Sequence, residues 1–257
     1  MQMKTVVFQS FRDEGRPDWI ELCLETVQSW ASRQGHEYRF LGDELLERVP
    51  RLVAEKSEGR NQIVADLGRL LVAREILEEG VDQVIWLDAD TLVFEPQALR
   101  LEIPQGSPGY AFGREVWIQK NTSGGLKAYR NVHNAVCLFQ SDNPFLDFYI
   151  HACLLIMDRV DGGVPPQILG PKFLSAQYNI LGFPLFESVG AFSPVVVQDI
   201  LNDGRAALDL LLDTSPSIPL AANLCASLSQ SDEEMRLVCE RLLAQGARLL
   251  PRSDSPL

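Results

Sequence analysis

Val84-Ile85-Trp86-Leu87-Asp88-Ala89-Asp90-Thr91-Leu92-Val93 is the stretch on which the reading of the whole chain turns. Four apolar residues, β-branched or aromatic for the most part, run straight into two aspartates spaced i, i+2, a pattern that reads as a buried strand ending in a carboxylate pair. Like charges this close repel and resist ionising together. A hard divalent cation removes the conflict, since oxygen ligands suit Mg²⁺ or Mn²⁺ and the phosphates of a bound molecule complete the coordination shell. The alternative is a strand that closes in an acidic turn, Asp being a common turn residue.

The segments around this stretch favour a layered α/β fold. Thr5-Val6-Val7-Phe8 reads as a first strand. Pro17 to Gln34 has helical spacing, with Trp19, Leu22, Cys23, Val27 and Trp30 on one face and Gly35 as a stop signal. Glu37 to Leu41 reads as a second strand. Asn61 to Glu79 is a helix with an Ile63, Leu67, Leu70, Leu71, Leu77 stripe, closed by Gly80. Strand–helix–strand–helix–strand order predicts a mostly parallel sheet flanked by helices and joined by right-handed crossovers. Ligands of such sheets bind at the carboxyl ends of the strands, where Asp88 and Asp90 fall.

The later chain carries weaker signals. Residues 102–133 hold seven glycines or prolines and a local basic excess in Arg114, Lys120, Lys127 and Arg130, and part of this stretch reads as a mobile loop able to meet an anionic ligand or an acceptor, or as a solvated loop. Asn134 to Leu155 reads as a strand running into a helix that starts near Pro144. Gly162 to Pro166 reads as a turn and Gln167 to Leu181 as a short helix. Val195-Val196-Val197 reads as a late edge strand, limited by Pro194. Ser231-Asp232-Glu233-Glu234 fits a capping box opening a last helix, and residues 252–257 are expected to fray.

Composition narrows the partners. The chain has 257 residues and a net charge of −12, which argues against nucleic-acid binding and against docking on anionic membranes. That field would also repel a phosphate-bearing ligand, unless a bound cation reverses it locally. The five cysteines are widely spaced and lack a C-x-x-C pair, as in reduced core thiols of an intracellular protein. With no signal-peptide core and no apolar stretch near the roughly 18 residues of a membrane span, a cytoplasmic location is the expectation. The sequon Asn121-Thr122-Ser123 is then a chance match. His36, His133 and His151 show no zinc-ligand spacing.

Asp66 and Arg69, three apart, share a face of the 61–79 helix. On a surface such a pair contributes only ~0.2–0.5 kcal/mol; beside the strand bearing Asp88, it could grip sugar hydroxyls and a phosphate together. Asp66-Leu67-Gly68-Arg69, then Trp86-Leu87-Asp88-Ala89-Asp90, resembles the DXD glycosyltransferases of the GT-A fold. The layout is most similar to glycosyltransferase family 32, with its mannosyltransferases and the related glucosylating toxins, and Leu-Asp-Ala-Asp-Thr-Leu-Val also has family 8 character. Val6 to Phe11 resembles that family's first strand, with Phe8 and Phe11 where the family has His and Trp. Asn134, Pro144-Phe145-Leu146 and Gly170-Pro171 match later motifs. Ala222-Asn223-Leu224-Cys225-Ala226-Ser227 stands where the family often has a metal-binding His and a Ser.

The resemblance implies a single GT-A-like catalytic domain over 1–251, with a Rossmann-like sheet, a nucleotide-sugar half over about 1–100 and an acceptor-side half over about 101–251. It implies transfer, with retention, from a UDP- or GDP-sugar to an unknown glycan, lipid-linked or protein acceptor, assisted by Mn²⁺ or Mg²⁺. Asp90, Asp88 and Asn223 would hold the metal; Asp66 and Arg69 would hold the donor sugar. Phe8, Gln9, Phe11, Trp86, Asn134 and Ser227 would line the nucleotide or donor, and Gly170 and Pro171 the acceptor side. A non-catalytic sugar-nucleotide or partner-binding module with this fold is the main alternative. A phosphatase with an Asp-x-Asp strand end wants Thr or Val where Leu92 stands, and a sugar nucleotidyltransferase wants a Gly-rich basic loop after the first strand.

Overall fold

The computed structural model describes residues 3–160, 163–228 and 231–249. The expected tail at 252–257 and Gly162 lie outside the described residues.

Strand β1 (Thr5–Ser10), helix α1 (Asp18–Arg33) and strand β2 (Glu37–Leu41) form a first parallel unit. Two short helices, α2 (Glu44–Glu47) and α3 (Arg51–Lys56), lead into the long helix α4 (Asn61–Glu78), which returns the chain to β3 (Gln83–Leu87), parallel to β1 on its other side. Alternation sorts these strands' side chains. Val6, Phe8, Val84 and Trp86 face α4, while Val7, Ile85 and Leu87 pack with Val27 and Trp30 of α1. Both faces are covered, which is why the strands are apolar throughout and were readable as strands.

After β3 the chain changes sheets. Thr91–Val93 forms β4 of a small second sheet, and the long strands β5 (Tyr110–Lys120) and β6 (Leu126–Gln140) form a hairpin whose second arm lies antiparallel to β3. Helix α5 (Phe145–Arg159) and helix α6 (Pro171–Leu181) follow, with Pro171 in the first turn of α6 and Gly182 in the left-handed conformation at its end. Then come β7 (Leu185–Phe186), β8 (Val189–Ala191), α7 (Pro194–Leu201), α8 (Ala206–Thr214), β9 (Ala221–Asn223) and α9 (Asp232–Gln245). The main sheet has six strands in the order β2-β1-β3-β6-β5-β7, with three of its five pairings parallel; the small sheet runs β4-β9-β8. The direction of strand addition reverses between β1 and β3, and such a switch point opens a crevice at the strands' carboxyl ends.

Two sequence expectations are corrected here. The stretch taken as a mobile loop is mostly the β5–β6 hairpin: Val116 and Ile118 are buried, Glu115 and Trp117 lie on the other face, and the glycines had masked this alternation. Its tip is tied by Asn121, whose side-chain oxygen accepts from the Ser123 and Gly125 N–H groups. Val195–Val197 is helical, not a strand: Pro194 occupies the first turn of α7, and Val196, Val197, Ile200 and Leu201 are buried at helical spacing. The α9 capping box is present as read, with Ser231 and Glu234 exchanging bonds. Among the described residues no helix is long and apolar enough to cross a membrane.

Candidate active site

The Asp-Ala-Asp turn forms the passage from one sheet to the other. Asp88 follows directly on β3, where its N–H donates to the Ala135 carbonyl of β6 (2.8 Å), and its own carbonyl accepts from Thr91 N–H (3.0 Å) to close the turn. Thr91 opens β4, opposite Asn223 of β9, and Leu224 N–H donates to the Asp90 carbonyl (2.9 Å). Both aspartates are thus held by backbone on two sides while their side chains point into one cavity of about 680 Å³. The cavity lies over the carboxyl ends of β1 and β3. It is lined by Phe11 and Arg12 after β1, Asp66 and Arg69 of α4, Trp86, Asp88, Ala89 and Asp90, Asn134 of β6, Pro171 and Lys172 of α6, Asn223 of β9, and Cys225, Ala226 and Ser227 after it.

Asp66 and Arg69 are not a surface pair. Their side chains are 8% and 7% exposed, and Arg69 Nη2 lies 3.1 Å from Asp66 Oδ1. Arg69 Nη1 donates to Asp88 Oδ1 (2.8 Å) and to the Asn134 carbonyl (2.8 Å), and Nε to the Ala65 carbonyl (3.2 Å). The guanidinium also sits over the Trp86 ring, 4.9 Å from its centre. Trp86 Nε1 donates to Asp88 Oδ1 (2.6 Å), and Asn134 Nδ2 to Asp66 Oδ1 (2.7 Å). Arg69 is therefore fastened behind the carboxylates and positions both. Burial works against its charge, but Asp88 and Asp66 outweigh this and raise its pKa. Burial raises Asp66 to about 6, with Arg69 and the Asn134 amide opposing.

Asp90 has different company. Its Oδ1 accepts from Asn223 Nδ2 (2.6 Å) and its Oδ2 from the Ala226 N–H (2.7 Å), both neutral donors. Burial and then the Asp88 charge push it up to about 6. Asn223 Nδ2 also lies 3.4 Å from Asp88 Oδ2. Asn223, expected to hold the metal, has its amide oxygen accepting from Cys225 N–H (2.8 Å) and its nitrogen turned toward the aspartates. Among the described residues no cluster of three or more His, Cys, Asp or Glu could hold a metal alone. Two mutually destabilising carboxylates on a cavity wall nevertheless suit a hard cation whose remaining ligands come from a bound phosphate and water.

Other expected site residues divide. Phe11, Trp86, Asn134, Pro171 and the exposed Ser227 line the cavity. Phe8 and Gln9 do not, which corrects their expected donor contact. Phe8 is fully buried edge-on against Trp86 (4.9 Å), because its position in β1 faces α4. Gln9, also fully buried, donates to the Asp88 carbonyl (3.0 Å) and accepts from the Tyr38 hydroxyl (3.1 Å), so it braces the turn from behind. Gly170 abuts the wall: a Cβ there would lie 2.7 Å from Asn134 Nδ2 and 2.9 Å from Asp66 Oδ2. The four basic residues Arg114, Lys120, Lys127 and Arg130 do not line the cavity; Arg114, for one, pairs with Glu187 (3.2 Å). The cations that do are Arg12, Arg69 and Lys172. Glu115, Trp117, His133 and Cys225 also line it and were not foreseen; the period-2 pattern of 115–118 was the signal that could have found the first two.

No protein-family model matches the sequence, and a comparison with curated proteins finds no match. Among solved structures, a glycosyltransferase involved in the glycosylation of the major capsid of PBCV-1 superposes with a TM-score of 0.53 at 11% identity, over 92% of this chain and 98% of that one. Mouse xyloside xylosyltransferase 1 in its apo form gives 0.47 at 10% identity, over 90% and 100% of the two chains. An active-site mutant of LgtC gives 0.42 at 12%, over 92% and 95%. At these identities a likeness speaks for the fold alone, and only the first is strong enough to carry it. The six-stranded sheet with its flanking helices is the GT-A glycosyltransferase fold.

Proposed function

We propose that this chain is a metal-dependent glycosyltransferase that moves a sugar from a UDP- or GDP-linked donor to an acceptor. The observation that carries the reading is the Asp88–Asp90 turn, backed by the buried Arg69 and opening into a cavity of about 680 Å³ on a GT-A fold. Pockets of roughly 300–1,000 Å³ suit ligands of nucleotide-sugar size.

Asp90 and Asp88 would hold Mn²⁺ or Mg²⁺, with Asn223 steadying both carboxylates by donation. The ion would set positive charge against the donor's diphosphate and stabilise the charge that builds on the departing nucleoside diphosphate. Arg69 fixes the rotamer of Asp88 by donating to its Oδ1. Asp66 Oδ1 is engaged by Asn134 and Arg69, which leaves Oδ2 to accept from a donor-sugar hydroxyl. Trp86 and Phe11 offer apolar surface for ribose or base, and Arg12 and Lys172 at the rim offer charge to the diphosphate. Retention of anomeric configuration is part of the proposal, supported by the resemblance to family 32.

A thermal-shift and hydrolysis panel of UDP- and GDP-sugars, with and without Mn²⁺, tests the reading. One nucleotide sugar should raise the melting temperature only with the metal and be released slowly as free sugar. No stabilisation and no hydrolysis with any donor contradicts it; metal-dependent stabilisation without hydrolysis would mark a sugar-nucleotide binding module.

A further inference from the structure

The cavity has a second wall that the donor reading leaves unused. On β5, residues 113, 115 and 117 face the same side by strand alternation, and opposite them in register stand His133, Asn131 and Tyr129 of β6. The other side of β5 is packed away: Val116 and Ile118 are buried in a core cluster with α1, α7, α8 and α9. Glu115 and Trp117 line the cavity that also holds Asp88 and Asp90.

Both side chains are half-buried and underused. Glu115 takes one hydrogen bond, from Asn131 Nδ2 (2.9 Å), and forms no ion pair among the described residues. Burial raises its pKa against that bond. Three of the four tryptophans engage their indole N–H: Trp19 with Asp232, Trp30 with the Leu99 carbonyl, and Trp86 with Asp88. Trp117 makes no such bond within the described residues. Cys225 lines the same cavity as Glu115 and Asp90, and burial, then Asp90 and Glu115, raise its thiol.

A half-buried carboxylate with one neutral partner, beside an indole that has an apolar face and an N–H with no partner among the described residues, is a combination that a sugar ring satisfies. Its C–H face covers the indole, and its hydroxyls donate to the carboxylate and accept from the N–H. We propose that Glu115 and Trp117 form the acceptor subsite, and that the acceptor is a glycan whose terminal sugar stacks on Trp117 and donates a hydroxyl to Glu115. This rests on the transferase reading for its purpose, but the subsite can be tested without it.

Saturation-transfer NMR on the full chain with Mn²⁺, UDP and GDP supplies the test, using methyl α-mannoside, methyl β-glucoside, methyl β-galactoside and a serine-containing peptide as probes. At least one glycoside should receive saturation at its ring protons. Trp117→Ala and Glu115→Gln should each weaken that binding by about tenfold or more, and Trp117→Phe should restore most of it by keeping an aromatic face. No signal from any glycoside, or equal affinity in wild type and both variants, would overturn the proposal. So would saturation of the peptide in place of the sugars. Glycoside binding that depends on Trp117, in a protein that hydrolyses no nucleotide sugar, would uphold the subsite and remove the transferase reading.

Discussion

Asp88 and Asp90 stand two residues apart on one turn, yet their surroundings oppose each other. Asp88 belongs to a charged wall with Arg69, Asp66, Trp86 and Asn134, where a buried guanidinium answers two carboxylates. Asp90 sits in a corner of neutral donors, Asn223 and the Ala226 N–H, and is pushed up to about 6 by burial and by Asp88. The wall is complete without a ligand and gives the turn its shape; the corner holds negative charge that the protein does not answer. On the proposed reading, Asp88 chiefly shapes the turn and Asp90 chiefly meets the cation.

Removing the wall's cation should have the largest effect on stability. Arg69→Ala leaves the buried Asp66 and the partly buried Asp88 without a cationic partner, only the neutral Asn134 and Trp86 donors remaining, and breaking a buried pair typically costs about 3–5 kcal/mol. Urea denaturation measures it; a loss below about 1 kcal/mol would mean that the wall is no more than an exposed pair.

The pH dependence is next. Asp66 and Asp90 both titrate near 6 in the folded protein against an ordinary value of 3.8. The folded state therefore holds more protons than the unfolded one between these values. Each group's contribution falls as pH rises from about 4 to about 6 and is constant above, by roughly 1–3 kcal/mol. In chelator, Asp90→Asn should lose its share of that slope and Arg69→Ala should steepen what remains; denaturation at pH 4.5 and 6.5 compares them. An unchanged slope in Asp90→Asn would remove the claim that its charge is unanswered.

Gly170→Ala perturbs the wall alone. The new Cβ would press on Asn134 Nδ2 and Asp66 Oδ2, whose movement breaks the Asn134–Asp66 bond. A cost of about 1–2 kcal/mol is expected, with cation-dependent binding kept. Asp90→Asn should change stability least, by under about 1 kcal/mol at neutral pH, because the burial and repulsion it relieves are offset by an amide NH2 set against Asn223 Nδ2, while its oxygen still accepts from Ala226.

The wall was more legible in the sequence than the corner. Asp66 and Arg69 lie on a long helix and Asp88 ends a buried strand, elements whose apolar periods are strong, so both elements were readable, while the sequence leaves the meeting of the three side chains open between a surface pair and a shared site. Asn223 sits on a strand of three residues, Ala221–Asn223, too short to carry a period, and the end of its amide that faces the aspartates is set by a contact with Cys225. Phe8 was misplaced because its position in β1 points into the core; the cavity begins only at the strand's last residue, Ser10, and continues through Phe11. Glu115, Trp117 and His133 were hidden with the hairpin that bears them. The glycines around β5 read as loop, and a pairing as long as β5 with β6 is a tertiary fact that local propensity does not encode.

Titration calorimetry of UDP and GDP into wild-type protein and Asp90→Asn, with and without Mn²⁺, tests the central claim most directly. One of the two nucleotides should bind the wild type only when Mn²⁺ is present. Asp90→Asn should lose about a hundredfold or more of that affinity, roughly 2.7 kcal/mol, while its unfolding free energy stays near the wild-type value. Binding of equal strength with and without Mn²⁺, or binding indifferent to the substitution, would contradict the assignment of the Asp88–Asp90 turn as a metal–diphosphate site.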